Sequence, residues 1–278
     1  MSKVLIATEK PFAAPAVAGI KQILTEAGFE VVLLEKYTTK AELLAAVADV
    51  EAIIIRSDII DAEVFDAAKQ LKIVVRAGAG YDNVDLESAT AHGVCVMNTP
   101  GQNANAVAEL VFAMLLFGVR NRFNGTSGTE LKDKKLGLLA YGNTGRNVAR
   151  IAKGFGMDIY AYDPFTPAEV IEKEGVHAVA SQKELFSTCD IVSLHIPATP
   201  ETKGSIGREL VSLMPKKGIL VNTARKEVIN EPELIALLKE REDLRYFADI
   251  RPGAHEEFEA AAGDRYFSTP KKMGRSEE

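Results

Sequence analysis

The stretch LGLLAYGNTGRNVARIAKGFGMDIYAYD, residues 136–163, decides the fold. Leu136–Leu139 is an apolar run suited to a buried parallel strand. Residues 140–145 turn into a helical pattern, and a second apolar strand closes at Asp163, eighteen positions beyond Gly145. A dinucleotide-binding turn has its ribose-binding acid about 20 residues further on. Gly142 lets backbone approach a pyrophosphate, and Gly145 lets helix and strand pack closely. The start of the helix, with Tyr141, Gly142, Asn143 and Thr144, offers N–H groups and a positive dipole end. Ala140 stands where the fingerprint has its first glycine, acceptable only if the turn keeps φ negative. Asp163 can accept from two ribose hydroxyls and would repel a 2′-phosphate, which favours NAD over NADP.

Working outward, the same alternation fills the chain. The runs VLIA (4–7), VVLL (31–34), AIII (52–55), IVVR (73–76) and VCVMN (94–98) alternate with helical patterns near 15–27, 39–48, 62–69 and 85–91. This is β-α-β alternation, a parallel sheet with helices on its faces. After the turn chemistry of Asn98–Gly101 a long helix is expected at about 104–120. The polar stretch FNGTSGTELKDK reads as a surface connection. Strands then recur near 135–139, 158–162, 191–194, 218–221, 245–249 and 266–268. The fold class is therefore α/β, with two doubly wound, Rossmann-like parallel-sheet domains and the cofactor on the second. We place a substrate domain at 1–98 and an NAD-binding domain at 99–268.

Composition narrows the function. With 278 residues the chain can bury a large core, and two domains fit that length. A net charge of −6 without a long basic run argues against a nucleic-acid partner. The longest apolar stretch, Ala106 to Val119, contains Glu109 and is shorter than the ~20 residues a membrane helix needs. The start runs directly into a strand pattern rather than a leader. Cys95 and Cys189 lack metal or redox spacing, and two buried thiols in a reducing cytoplasm are expected. No metal site is read.

Small ligands of such folds sit beyond the carboxyl ends of strands. Three strand ends there carry arginine: Arg56-Ser57, Arg76 with Ala77, Gly78 and Ala79, and Asn222-Thr223-Ala224-Arg225. Each could receive a small anion.

At these positions the chain resembles the D-2-hydroxyacid dehydrogenase family, and within it the branch acting on D-3-phosphoglycerate. The resemblance spans about residues 2–274. It rests on IIIRSD (53–58), VVRAGAGYDNVD (74–85), NTPGQNANAVAE (98–109), CDIVSLHIPATPETKG (189–204) and NTARKEVIN (222–230), besides the dinucleotide unit. It implies an NAD-dependent oxidoreductase that takes hydride from C2 of D-3-phosphoglycerate, in serine biosynthesis. Arg225 would clamp the substrate carboxylate bidentately. Backbone N–H groups of Ala77, Gly78 and Ala79 would meet the same carboxylate, while Arg56, Ser57 and Asn103 would bind the phosphate. His195, Ile196 and Pro197 would line the adenine side. Thr223 and Ala224 would border the cofactor, and Asp249 would lie near the nicotinamide carboxamide. The helix at 104–120 resembles a dimerisation segment, which implies a homodimer.

The sequence departs from the family in three places. Where the family has a catalytic histidine in T-P-H-[IL]-G, this chain reads Thr269-Pro270-Lys271-Lys272-Met273-Gly274. Lys272 takes the histidine position, and a lysine of lowered pKa can exchange the proton. The partnering glutamate is replaced by Ala254, with Glu256 and Glu257 off register. Residues 269–278 read as a truncated return segment whose expected helix is missing. A glyoxylate or hydroxypyruvate reductase is the nearest alternative, and a non-catalytic NAD-binding interaction protein or an inactive truncated form is the alternative of another class.

Overall fold

The computed structural model describes residues 2–270 and 273–274, and they divide into two compact units, the first ending at Gln102 and the second beginning at Asn103.

The first unit is a five-stranded, all-parallel sheet. Its strands are β1 (Lys3–Thr8), β2 (Glu30–Glu35), β3 (Ala52–Ile55), β4 (Ile73–Arg76) and β5 (Cys95–Asn98), in the order β2-β1-β3-β4-β5. That order reverses direction between β1 and β3, the switch point at which doubly wound sheets open a crevice beyond their strand ends. Its core gathers Leu5, Ala7, Ile53, Ile55 and Val74 against Leu43, Val47, Val64 and Phe65 of the helices Lys40–Val47 and Ala62–Ala67. Cys95 is exposed, against the expectation of two buried thiols, because β5 is an edge strand. Cys189 is buried, and burial pushes its thiol up to about 12.

The second unit holds seven parallel strands: β6 (Lys135–Leu139), β7 (Asp158–Tyr162), β8 (His177–Ala178), β9 (Ile191–Leu194), β10 (Ile219–Asn222), β11 (Arg245–Ala248) and β12 (Tyr266–Ser268). Their order is β12-β11-β10-β9-β6-β7-β8, with the switch between β6 and β9. Side chains alternate across this sheet because strand periodicity is two. Leu136, Leu138, Ile191, Ile219 and Phe247 face the helices Ala104–Val119 and Asn143–Gly154. Leu139, Val192, Leu220, Tyr246 and Ala248 face the helices Gln182–Thr188, Glu231–Glu240 and His255–Ala262. Both faces are covered, so these strands are continuously apolar.

The helix Ala104–Val119 lies against this sheet so closely that a Cβ on Gly118 would come within 2.2 Å of the Phe247 ring. The polar connection after it is not purely superficial, since Leu131 is buried in the same core. No helix among the described residues is long and apolar enough to cross a membrane.

Candidate functional site

At the end of β6 the chain turns sharply into the helix Asn143–Gly154. Ala140 adopts φ 79°, contrary to the negative φ expected of a non-glycine residue there. The turn needs it: the Ala140 N–H extends the β6–β7 ladder to the Tyr162 carbonyl at 2.9 Å, while its own carbonyl lies under the helix. A Cβ on Gly145 would stand 2.5 Å from that carbonyl oxygen, so Gly145 is required by packing. Gly142 differs. Its φ is −84°, and no other protein atom lies within 4 Å of where its Cβ would be. The N–H groups of Asn143, Thr144 and Gly145 precede the first intrahelical bond, from Arg146 N–H to Gly142 O, and point out of the helix start.

Asp163 lies beside this turn. Its Oδ2 accepts from the Tyr141 N–H at 2.7 Å and its Oδ1 from the Phe165 N–H at 2.8 Å. A carboxylate has about four acceptor positions, so two remain for an incoming diol. Tyr141, expected among the cofactor-binding residues, turns inward instead. Its N–H is taken by Asp163, its ring is buried, and its hydroxyl donates to Glu174 Oε2 at 2.9 Å. Arg146 pairs with the same Glu174 and lies 4.9 Å over the Tyr141 ring.

Two neighbouring strands end beside the turn. His195 follows β9 and donates its N–H to Leu139 O at 2.9 Å. Its Nε2 is sealed from solvent without a partner, and burial pulls the imidazole down to about 4. Ile196 packs against the core and Pro197 is exposed. After β10, Thr223 is buried with its Oγ1 likewise unpartnered. Leu194 pairs with Asn222 across β9 and β10, so His195 and Thr223 emerge at the same level. The Asn222 side chain shapes the loop after β10: Oδ1 accepts from Ala224 N–H at 3.0 Å, and Nδ2 donates to Arg225 O at 2.9 Å. Arg225 leaves in extended backbone with Nη1 on Ala224 O at 3.2 Å.

Asp249, after β11, is only 1% exposed. Its Oδ1 accepts from Thr269 Oγ1 at 2.9 Å and Met273 N–H at 2.7 Å, and its Oδ2 from Gly274 N–H at 3.2 Å. It therefore holds Thr269, Met273 and Gly274 with both oxygens. Asn103 joins this cluster through Nδ2 on Gly274 O at 3.2 Å. Lys272 and its neighbour Lys271 lie outside the described residues. Ala254, at the position of the absent glutamate, donates its N–H to Glu231 Oε2 at 2.7 Å.

In the first unit, Arg56 and Ser57 leave β3 at the switch point. Arg56 Nη1 donates to Pro11 O at 2.8 Å and Lys10 O at 3.3 Å, and its guanidinium sits 5.5 Å over the Phe12 ring. Ser57 is exposed. Two of the three N–H groups expected to face a carboxylate are already taken. Ala77 N–H prolongs the sheet to Ile55 O, and Gly78 N–H closes on Arg76 O, both at 2.8 Å. The Ala79 N–H has no acceptor among the described residues. Gly78 sits at φ 155°, and a Cβ there would collide with the Arg76 guanidinium.

Three residues matter here that motif reading did not single out. Asn222 shapes the Arg225 loop, Glu174 clamps the dinucleotide turn from below, and Asp58 ties the switch point together. Buried Asp58 accepts from Glu9 N–H at 2.7 Å, Tyr37 Oη at 2.8 Å and Arg56 N–H at 3.1 Å. Asp58 closes the motif IIIRSD and Asn222 opens NTARKEVIN, so both had a local signal; Glu174 has none.

Comparison with known proteins adds an independent line. The family model described as D-isomer specific 2-hydroxyacid dehydrogenase, NAD binding domain, matches residues 116–262. A D-3-phosphoglycerate dehydrogenase of Methanocaldococcus jannaschii is 40% identical over 216 residues, 73% of this chain and 41% of that protein. The chain thus spans about two fifths of that relative's length. A hydroxypyruvate reductase of Thermotoga maritima is 37% identical over 74% of this chain and 70% of its own. An NAD+-bound 3-phosphoglycerate dehydrogenase of Entamoeba histolytica has a TM-score of 0.89 at 47% identity, covering 98% of this chain and 88% of that one.

Proposed function

Because the chain belongs to the D-isomer specific 2-hydroxyacid dehydrogenase family, we propose that it is an NAD-dependent oxidoreductase that oxidises D-3-phosphoglycerate to 3-phosphohydroxypyruvate. One observation carries the cofactor reading. Gly142 has neither a backbone angle nor a contact with the described residues that demands glycine, yet it heads a helix whose first N–H groups lack acceptors among the described residues. Such a turn suits a pyrophosphate, with Asp163 on the ribose. The buried, unpartnered His195 Nε2 and Thr223 Oγ1 at adjacent strand ends suit a polar ligand in the same place.

Bound NAD would supply the hydride acceptor. The protein's part is to hold and orient the acid: Arg225 grips the carboxylate, aided by the Ala79 N–H, and Arg56 with Ser57 takes the phosphate. As C2 loses hydride, its hydroxyl proton passes to a base, for which we propose Lys272. Turnover of Lys272→Met and Lys271→Met variants tests this; equal activity in both would remove the assignment. A homodimer formed through the helix Ala104–Val119 belongs to the same reading, as does a cytoplasmic location. Phe123, 68% exposed beside Phe117, supports the dimer.

Reduction of hydroxypyruvate is the second reading, favoured by the Thermotoga maritima relative. NADH oxidation with the two keto acids separates them. Arg56→Glu should raise KM for 3-phosphohydroxypyruvate at least tenfold and barely alter that for hydroxypyruvate, since only the former carries the phosphate. Equal changes for both would favour the reductase.

A further inference from the structure

We propose that Thr269 is a positioning residue for the proton-transfer step, an inference that rests on Lys272 as the base. Just after β11, Ile250 adopts φ 109°, a left-handed backbone that a β-branched side chain rarely takes. Such strain persists only where the surroundings over-determine it, and it gathers at functional sites. Here Thr269 does the determining. Its Oγ1 accepts from the Ile250 N–H at 2.8 Å and donates to Asp249 Oδ1 at 2.9 Å. A hydroxyl has one proton to give, so the donor is spent on Asp249. The Thr269 N–H already continues the β11–β12 ladder, donating to Ala248 O at 3.0 Å. The two hydroxyl bonds are therefore additional to what the sheet needs. The same Asp249 accepts from the N–H groups of Met273 and Gly274. Gly274 has no room for a side chain, since a Cβ there would stand 2.7 Å from Val107 Cγ2 and 3.4 Å from Asp249 Oδ2. Asn103 Nδ2 closes the cluster on Gly274 O. In sequence Lys272 falls between these two holds, three residues after Thr269 and one before Met273. A group that exchanges a proton with substrate must lie within hydrogen-bond reach of it, so the residues that fix its neighbours set its rate.

Steady-state kinetics of the full chain test the proposal, with NADH and whichever of 3-phosphohydroxypyruvate and hydroxypyruvate turns over faster. Thr269→Val keeps the shape and loses both hydroxyl bonds. It should lower kcat about tenfold or more and move either KM less than about twofold, the pattern of an interaction that matters only in the transition state. NADH affinity measured by calorimetry should stay at the wild-type value, which shows the second unit folded. Thr269→Ser, which keeps the donor and the acceptor, should restore kcat. In the Lys272→Met background Thr269→Val should lower the residual rate no further, because a positioning residue has no effect once the group it positions is gone. Wild-type kcat in Thr269→Val, a loss confined to KM, or a full second loss on top of Lys272→Met overturns the proposal. The two readings fail apart. Full activity of Lys272→Met, or a wild-type chain inert towards both keto acids, removes the base and this inference with it. An inactive Lys272→Met beside a fully active Thr269→Val removes the positioning role alone.

Discussion

At Ala140 a side chain occupies a backbone region that favours glycine, since φ is 79°. Left-handed backbone costs a non-glycine residue roughly 1–2 kcal/mol. Ala140→Gly should relieve that strain, offset in part by the greater freedom of glycine in the unfolded chain, and raise stability by about 1 kcal/mol in urea titration. Gly145→Ala should do the reverse and cost several kcal/mol, because the new Cβ would stand 2.5 Å from the Ala140 oxygen. His195 makes the pH prediction. Its folded pKa of about 4 lies below the ordinary 6.5, with burial as the cause. Between these values the unfolded chain binds a proton that the folded chain refuses, so stability is full above pH 6.5 and falls as pH drops toward 4. The loss approaches about 3 kcal/mol, from 1.36 kcal/mol per pH unit. His195→Asn should flatten this slope in unfolding titrations run between pH 4 and 7. An unaltered slope would place the proton elsewhere.

Among the elements, the ends of two helices depend on one side chain. Arg265 Nη2 donates to Leu238 O and Ala261 O, both at 3.1 Å, near the ends of Glu231–Glu240 and His255–Ala262. Its Nη1 reaches Arg241 O at 3.2 Å and Leu244 O at 3.1 Å. Arg265→Met keeps the apolar stem but removes a donor from four carbonyls, of which Arg241 O keeps the Leu244 N–H, and should cost about 2–4 kcal/mol in urea titration. Lysine should rescue little, because a point charge cannot reproduce the fork. None of this shows in the sequence, where Arg265 looks like one more surface cation. By contrast the strands are legible, since AIII, IVVR and LGLL read as apolar runs, LGLL being buried on both faces and AIII and IVVR on one with the other partly covered. The two-residue β8, His177–Ala178, is too short and polar to give such a run. The candidate site divides along the same line. Gly142, Gly145 and Asp163 carry meaning through spacing alone. What takes the Ala77 N–H, and which groups claim Asp249, depend on partners about twenty residues away or more, beyond any local pattern.

For the whole molecule, two separately cored units predict two separable stabilities. The first unit has one core, whereas the second has a core on each face of its sheet. Pyrophosphate and ribose contacts on this reading come from Gly142, Asn143, Thr144 and Asp163, all in the second unit. A ligand that binds only folded protein stabilises it by about 2.7 kcal/mol at a hundred times Kd. For a unit of this size each kcal/mol moves the midpoint by roughly 2–4 °C, so NAD should raise one calorimetric transition by about 5–10 °C. The other transition should hardly move. ADP should reproduce most of the shift, because it carries the ribose, base and pyrophosphate that the turn is built to receive. Adding 3-phosphohydroxypyruvate should then act on the transition NAD left alone, through Arg56 and Ser57. A single transition that moves as a whole with NAD would mean that the units unfold as one; no movement with either ligand would count against the binding reading itself.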